Sequence, residues 1–304
     1  MKDDILARIE RELGVTGVAE RLAGRIQQAD LHSLLLEVFR RRAAERSPSD
    51  LLADWARNRF VRPSTADPRA LARFDVLAFA ALAAEFEPIE LGPVAPLGTS
   101  SVLGTVHQDK VLASIRSVEV LSDATNVLAL EAAARRRKSP AAVHLAASHR
   151  HLRTPQFAGP LSFAHFRLFV LCSAGRDARG EPFHAAAVDA HLRFYARVAR
   201  QALGPDVPLR FALTDLASDP PRESWLRSHD GVEVVFDQAR ASGRGYYEDV
   251  CFKVHARHGG EWLELGDGGA VDWTRKLLSN AKERLVISGI SSERICAMGV
   301  APPA

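Results

Sequence analysis

Two arginines stand in sequence contexts suited to binding phosphate. Arg150 belongs to a predicted strand, VHLAASHRHLR, and Arg294 follows a short segment that contains Gly289 and Ser291. A guanidinium group binds phosphate oxygens through paired hydrogen bonds, and a glycine lets the backbone approach a nucleotide closely. Both arginines are therefore candidate phosphate ligands. The alternative interpretation, a surface salt bridge, stays open for each of them.

Histidine and cysteine spacing argues against a metal or thiol centre. Cys172, Cys251 and Cys296 lie far apart and form no CxxC pair, so we expect reduced, buried thiols. His149 and His151 alternate onto one face of a predicted strand, where two imidazoles could bind a metal. The sequence offers no evident third ligand, so two strand histidines with ordinary hydrogen-bond partners are the favoured interpretation.

Alternating predicted helices and strands must position these side chains. Apolar periodicity and caps predict the following elements: helices over 68–86, over 124–138 with Asp123 as N-cap, over 183–203 and from about Glu293; strands over 143–153, 166–174, 209–216, 232–238, 246–256 and 261–267; a short extended segment at 88–94; a turn-rich loop over 98–104; and a hairpin-like excursion over 154–162. Helices and strands in this arrangement predict an α/β or α+β core.

The N-terminal region is predicted to be a separate helical part. Ile5, Ile9 and Leu13 are spaced four residues apart, and the segment RPSTADP places two prolines beside polar turn residues. We therefore expect a helical extension over residues 1–65 and a larger core over residues 66–304.

Composition excludes several classes of protein. Of the 304 residues, 47% are hydrophobic and 25% charged, and the net charge is +3. No apolar stretch approaches the roughly 20 residues of a membrane helix, and no signal peptide is evident, so we expect a cytoplasmic protein. The runs FRRRAAER and ARRRK could bind RNA phosphates, but basic residues at helix C-termini are expected without any partner. A general RNA-binding module is thus the weakest hypothesis.

Two segments resemble the first two motifs of the class II aminoacyl-tRNA synthetases, most closely of the histidyl type. RFDVLAFAALAAEFEPIELGP, with Pro93 at the proline position, resembles the helix and strand that form the dimer interface in that family. SHRHLRTPQFAGPLSFAHFRLFVLCSAG resembles the second motif, with Arg150 as its arginine and with Phe163 and Phe166 opening the next strand. The resemblance implies that Arg150 holds the α-phosphate of ATP.

The third motif and the histidyl features follow in the expected order. RLVISGISSERICAMG resembles the third motif, and the resemblance implies nucleotide contacts from Gly289, Ser291 and Arg294, the last at the γ-phosphate. Further segments resemble the parts that line the amino-acid pocket. They place these residues against the substrate: Thr125, Tyr246, Tyr247, Gly268 and Gly269. The tyrosines fit a half-buried strand pair equally well, and Asp267 and Gly268 fit a tight turn as readily as a substrate contact.

The sequence departs from the family mainly in the amino-acid pocket. Leu152 stands where the family usually has an acid that helps to hold the adenine end of ATP, and Ser242 replaces an arginine that precedes the paired tyrosines. Ala270 and Val271 replace the Arg-Tyr of the family's GGRYD segment. If an amino acid binds here, it need not be histidine.

The resemblance implies an α+β fold, an antiparallel sheet flanked by helices, and ATP-dependent activation of an amino acid with Mg²⁺. Glu131 and Glu248 are then candidate acids on the metal side. A homodimer is expected through the Pro68–Pro93 region, and the acyl acceptor is tRNA or a carrier protein. Because only five residues follow Gly299, no C-terminal anticodon-binding domain is expected, nor tRNA charging by that route.

A second hypothesis is a non-catalytic paralogue. In this hypothesis the chain resembles the regulatory subunit of ATP phosphoribosyltransferase, which keeps the same core, lacks the anticodon domain and does not charge tRNA. Leu152 and the missing Arg-Tyr pair favour this alternative, whereas retention of Arg150 and Arg294 favours the enzyme.

Overall fold

The computed structural model describes residues 2–154, 164–178, 180 and 182–299. The helices are α1 (Lys2–Leu13), α2 (Val18–Gly24), α3 (Gln28–Ala44), α4 (Pro48–Arg57), α5 (Pro68–Ala80), α6 (Thr99–Leu103), α7 (Ala124–Lys138), α8 (Phe183–Leu203), α9 (Trp273–Leu278) and α10 (Ser292–Gly299). The strands are β1 (Glu87–Pro88), β2 (Val94–Pro96), β3 (Ala113–Ser114), β4 (Val118–Val120), β5 (Val143–Leu152), β6 (His165–Gly175), β7 (Leu209–Asp215), β8 (Val232–Phe236), β9 (Glu248–His258), β10 (Glu261–Val271) and β11 (Arg284–Ser291).

The chain divides into two compact units. The first combines the residues up to Arg62 with the segment Ala113–Val118, and the second holds the remaining residues. Within the first unit, α4 begins at a capping box in which Ser47 and Asp50 satisfy each other's backbone N–H groups. Its apolar side chains remain exposed, and Leu52 is 70% exposed. None of the described helices is long and apolar enough to cross a membrane.

The second unit is built on an eight-stranded sheet with the order β1-β5-β6-β11-β10-β9-β7-β8. The six strands from β5 to β7 pair antiparallel, whereas the outer pairs β1-β5 and β7-β8 are parallel. The α+β fold with an antiparallel central sheet is therefore confirmed, with a parallel strand added at each edge.

Two apolar layers cover the two faces of this sheet. On β5, Leu145 and Ala147 pack with α7, whereas Ala146 packs with α5 and α8. Successive strand residues point to opposite faces. The odd-numbered residues of β5 therefore face the layer that contains α7, and the even-numbered residues face the layer that contains α5 and α8. We call these the α7 face and the α8 face.

Several elements depart from the sequence predictions. Helix α5 ends at Ala80, six residues early, because the chain turns there so that Ala81 and Phe86 become buried in the core. The predicted loop over 98–104 contains helix α6, and the Asp267-Gly268 turn is instead the interior of β10. Strand β11 was missed because a central strand covered on both faces reads as a continuous apolar run. Most of the excursion over 154–162 lies outside the described residues.

Gly268 in the middle of β10 has no room for a side chain. A Cβ atom on Gly268 would lie 2.3 Å from Ser288 Cβ and 2.6 Å from the Ile287 carbonyl oxygen. We expect Gly268→Ala to lower the free energy of unfolding by about 1–3 kcal/mol, because backbone and core must shift to admit the methyl group. Gly92→Ala is the control, since a Cβ on this exposed glycine meets only the Val94 carbonyl oxygen at 3.8 Å. Urea denaturation of both variants measures the effect, and equal stability would contradict the prediction.

Candidate functional site

A cavity of about 380 Å³ opens on the α7 face of the sheet. Its wall combines the start of α7, the ends of β6 and β11, the middle of β10, and the turn before β9. The lining residues are Asp123, Thr125, Arg153, Phe166, Leu168, Tyr246, Tyr247, Glu264, Leu265, Gly266, Asp267, Ile287, Ser288, Gly289, Ser291 and Arg294.

The start of α7 forms one wall. Asp123 caps the helix, as predicted, and its carboxylate accepts hydrogen bonds from the Thr125 backbone N–H at 3.0 Å and hydroxyl at 2.7 Å. The backbone N–H of Ala124, the first residue of α7, donates to Nε2 of His151 at 2.8 Å. That contact requires a neutral imidazole, and burial accordingly lowers the pKa of His151 to about 3. Buried His151 thus holds the helix start in place from β5.

Two tyrosines form the adjoining wall. The rings of Tyr246 and Tyr247 meet edge to face, with centroids 4.8 Å apart, and Tyr246 also packs against Trp273. Burial raises the pKa of both phenols, so they stay neutral donors or acceptors at physiological pH. Both residues lie in the turn before β9 and not within the strand that the sequence predicted. The turn delivers both side chains to the cavity.

Asp267 brings a carboxylate into the wall from β10. Its Oδ2 atom lies 3.1 Å from Nη2 of Arg240, which is itself almost fully buried. Burial raises the pKa of Asp267, while Arg240 opposes that shift by favouring the charged form. Glu264, three residues earlier on β10, also lines the cavity and is paired with Lys253 at 2.7 Å. The cavity therefore offers an acidic side chain beside the tyrosines.

The basic residue that β5 brings to the cavity is Arg153, and Arg150 is absent from the lining. Arg153 follows the last residue of β5, lies 3.7 Å from the Asp123 carboxylate and holds its guanidinium 5.1 Å from the centroid of the Phe166 ring. Arg150 instead contacts Glu293 at 3.4 Å and His165 Nδ1 at 3.1 Å. As an even-numbered residue of β5 it shares the α8 face with Ala146. The predicted role of Arg150 at the α-phosphate thus lacks support from its position.

The third motif does reach the cavity. Gly289, Ser291 and Arg294 line it together, where β11 passes into α10. The guanidinium of Arg294 donates to the Glu264 carbonyl oxygen at 2.6 Å, which fixes the side chain at the cavity wall. Gly289 presents only backbone to the cavity, and a Cβ there would come within 3.2 Å of the Val170 side chain. A second cation thus faces the cavity beside backbone that a ligand can approach.

Other predicted site residues lie outside the lining. Gly268 and Gly269 are neighbours of the cavity residues on β10, and their lack of side chains serves strand packing. Glu131 pairs with Arg135 at 2.7 Å, and Glu248 forms an ion pair with Arg275, so neither acid reaches the cavity. Phe163 lies outside the described residues, whereas Phe166 lines the cavity.

His149 and His151 belong to no metal centre in the described part of the chain. No group of three or more histidine, cysteine, aspartate or glutamate side chains is placed there to hold an ion. The two imidazoles meet edge to face, and His151 also stacks on Phe166. The interpretation as strand histidines therefore fits the positions of both residues.

Solved structures share this architecture. A histidine–tRNA ligase subunit from Alicyclobacillus acidocaldarius has a TM-score of 0.57 at 13% identity, with 78% of this chain and 96% of that chain covered. A protein described as an ATP phosphoribosyltransferase regulatory subunit/histidyl-tRNA synthetase, from Bacillus halodurans, also reaches 0.57 at 10% identity, covering 79% and 82%. The chain has the class II aminoacyl-tRNA synthetase fold.

Apo histidyl-tRNA synthetase of S. aureus shares this class II fold with a TM-score of 0.53 at 14% identity over 76% of this chain. The chain spans 64% of the length of that synthetase. No protein-family profile matches the sequence, and no curated protein matches it either. The residues that line the cavity therefore have to be interpreted from their own positions and contacts in this chain.

Sequence reasoning missed Arg153 and left Asp267 undecided. Arg153 was passed over because the motif register selected Arg150; the alternation along β5, with His149 and His151 on the α7 face, is the signal that could have found it. Asp267 fitted a substrate contact and a tight turn equally well, because an Asp-Gly pair is typical of turns. Only the pairing of β10 with β9 and β11 shows that the strand continues through it.

Proposed function

We propose that this protein activates an amino acid with ATP, forming an aminoacyl-adenylate and pyrophosphate, and passes the acyl group to an acceptor, either tRNA or a carrier protein. One observation carries the proposal: a single cavity joins two arginines and an aromatic ring to a pocket of two tyrosines and a threonine. The first group suits a nucleotide and the second a small amphipathic molecule. A cytoplasmic location, where ATP is abundant, is part of the proposal.

The nucleotide end of the cavity is assigned from its charges. Arg153 would bind the α-phosphate, Arg294 the γ-phosphate, and the face of Phe166 would support the adenine. Gly289 has no side chain and Ser291 a small one, so the neighbouring wall leaves room for the triphosphate. Arg153 donates from Nε to the Ser122 carbonyl oxygen at 3.2 Å, which fixes the guanidinium at the cavity wall, and its nearest acid, Asp123, lies 3.7 Å away.

The reaction would then follow from placing the two substrates end to end. A carboxylate oxygen of the amino acid attacks the α-phosphorus, a new P–O bond forms, and the bond to the β-phosphate oxygen breaks to release pyrophosphate. Arg153 stabilises the negative charge that builds up on the α-phosphate, and Arg294 stabilises the leaving pyrophosphate. Thr125 and the neutral phenols of Tyr246 and Tyr247 orient the amino acid for attack.

Magnesium enters the proposal with ATP. Mg²⁺ usually keeps several waters and is bound largely through substrate phosphates, so it would be carried into the cavity on the triphosphate. We assign no protein ligand to it, because Glu131 and Glu248 are engaged by arginines outside the cavity.

Amino-acid-dependent exchange of labelled pyrophosphate into ATP tests the proposal. We expect exchange with at least one of the standard amino acids and a rise in melting temperature on addition of Mg-ATP. No exchange with any amino acid, together with no ATP-induced rise in melting temperature, would refute the activating enzyme. ATP or amino-acid binding without exchange would instead favour a ligand-sensing paralogue, as the regulatory subunit among the structural neighbours suggests.

We also propose a homodimer formed through the Pro68–Pro93 region. The outer face of α5 exposes Val76 by 70% and Phe79 by 37%, apolar area that a second copy would cover. Val76→Glu is expected to convert the dimer into a monomer, because an unpaired charge would be buried at the contact. Light scattering after size-exclusion chromatography gives the mass. Leu52→Glu, at an equally exposed apolar residue of α4, is the control and should leave the mass unchanged.

A further inference from the structure

Asp267 has hydrogen-bonding capacity that the protein does not use. An ionised carboxylate offers about four acceptor positions. Among the described residues, only Arg240 donates to it, from Nη2 to Oδ2 at 3.1 Å. Its side chain is 45% exposed, and it lies in the wall of the cavity. The unused acceptor positions of Asp267 are therefore available to a ligand.

The surroundings of Asp267 fix its direction and leave space before it. Arg240 is 2% exposed and donates from Nε to the Ser242 carbonyl oxygen at 2.8 Å, so it holds Asp267 from behind without lining the cavity. The residue directly opposite Asp267 on β11 is Gly289, which has no side chain to occupy the space beside the carboxylate. The carboxylate is thus oriented by a buried cation and uncovered on its cavity side.

The neighbouring rings favour the same kind of ligand. Tyr246 and Tyr247 line the cavity together with Asp267, and a positive charge is attracted both by a carboxylate and by the face of an aromatic ring. The other two acids of the lining are already engaged, Asp123 by the Thr125 backbone and hydroxyl and by Arg153, and Glu264 by Lys253 at 2.7 Å. Asp267 is therefore the acid best placed to receive a cation from a ligand.

On the basis of the proposed function, we infer that the amino acid activated here carries a positively charged side-chain nitrogen, an ammonium or a guanidinium, which Asp267 binds. These two groups bring three and five N–H donors, enough to fill the acceptor positions that Asp267 leaves unused. The α-amino group is then left to the hydroxyl oxygens of Thr125, Tyr246 and Tyr247, which line the same cavity.

Pyrophosphate exchange with matched pairs of amino acids tests this inference. Lysine, ornithine or arginine should support exchange, whereas the uncharged analogues norleucine and citrulline should not. Asp267→Asn should lower kcat/KM for the cationic amino acid by about 10- to 100-fold, since a charged hydrogen bond is lost. The same variant should keep its ATP-induced rise in melting temperature. Asp267→Glu should recover part of the activity, and Glu261→Gln, an exposed acid on the same strand, is the control.

The outcomes separate this inference from the proposed function. Exchange that is supported only by neutral or acidic amino acids, or that is unchanged in Asp267→Asn, overturns the inference and leaves the proposed function intact. If no amino acid supports exchange, the proposed function fails, and calorimetric titration with lysine and with arginine decides the inference by itself. Binding that Asp267→Asn abolishes supports the inference, and absence of binding overturns it.

Discussion

Replacement of Arg153 by alanine is expected to lower the rate of pyrophosphate exchange by about 10²–10³-fold, the usual loss when one fixed donor to a developing charge is removed. The guanidinium is the basic group that β5 brings to the cavity, beside the Phe166 ring. Its position makes it the candidate for charge stabilisation at the α-phosphate. The loss should appear mainly in kcat, because the interaction strengthens as charge develops.

Arg150→Ala is the matched control, since it removes the same side chain three residues away on the opposite face. Arg150 contacts Glu293 and His165 and does not line the cavity, so exchange should fall less than about threefold. Melting temperatures of both variants separate lost activity from lost stability, because Glu293 is buried and loses a counter-charge in Arg150→Ala. A larger loss of exchange in Arg150→Ala than in Arg153→Ala would restore the assignment that the sequence motif suggested.

Acidification is expected to destabilise the fold well above the pH at which carboxylates titrate. Burial lowers the pKa of His151 and of His191 to about 3 in the folded protein, against an ordinary value of 6.5. Between these values the unfolded chain binds more protons, so the stability is fully present above about pH 6.5 and is lost as the pH falls toward 3. Each histidine contributes about 1.4 kcal/mol per pH unit, and the pair about 2.7 kcal/mol per unit.

Urea midpoints at pH 7, 6 and 5 measure this slope. His191 links Ser173 at 3.0 Å and Ser288 at 2.8 Å through its two ring nitrogens. His191→Gln keeps a donor and an acceptor at that place but cannot titrate, so it should remove about half of the pH dependence, even if it lowers the stability at pH 7. A slope that is unchanged in this variant would show that His191 does not stay neutral in the folded protein.

The cavity shows how strongly one strand's parity controls chemistry. Two arginines that are an odd number of residues apart along β5, such as Arg150 and Arg153, lie on opposite faces of the sheet. In this chain His149 and His151 take the α7 face, and His151 fixes the start of α7 through the Ala124 N–H. His151 thus links the start of α7 to Phe166, on which its ring stacks.

Several elements could be predicted from the amino-acid sequence because their signals are local. The Asp123 cap, helix α8 with its bounds and the apolar strands β6 and β7 follow from hydrogen bonding and periodicity within a few residues. The fold class also followed, because three motifs appear in one order. Thr125, Tyr246, Tyr247, Ser291 and Arg294 were named as candidates and lie in one cavity, although their catalytic roles stay predictions.

The neighbours of these residues depend on long-range packing and could not be predicted from local patterns. Arg150 and Arg153 have the same side chain and lie three residues apart. No local sequence signal indicates which face of β5 packs against α7. Asp267 carries a turn signal that pairing with β9 and β11 overrides, since six antiparallel strands fix the register of β10. Local patterns constrain the backbone nearby, whereas the contents of a cavity depend on contacts between segments more than 100 residues apart, such as Asp123 and Asp267.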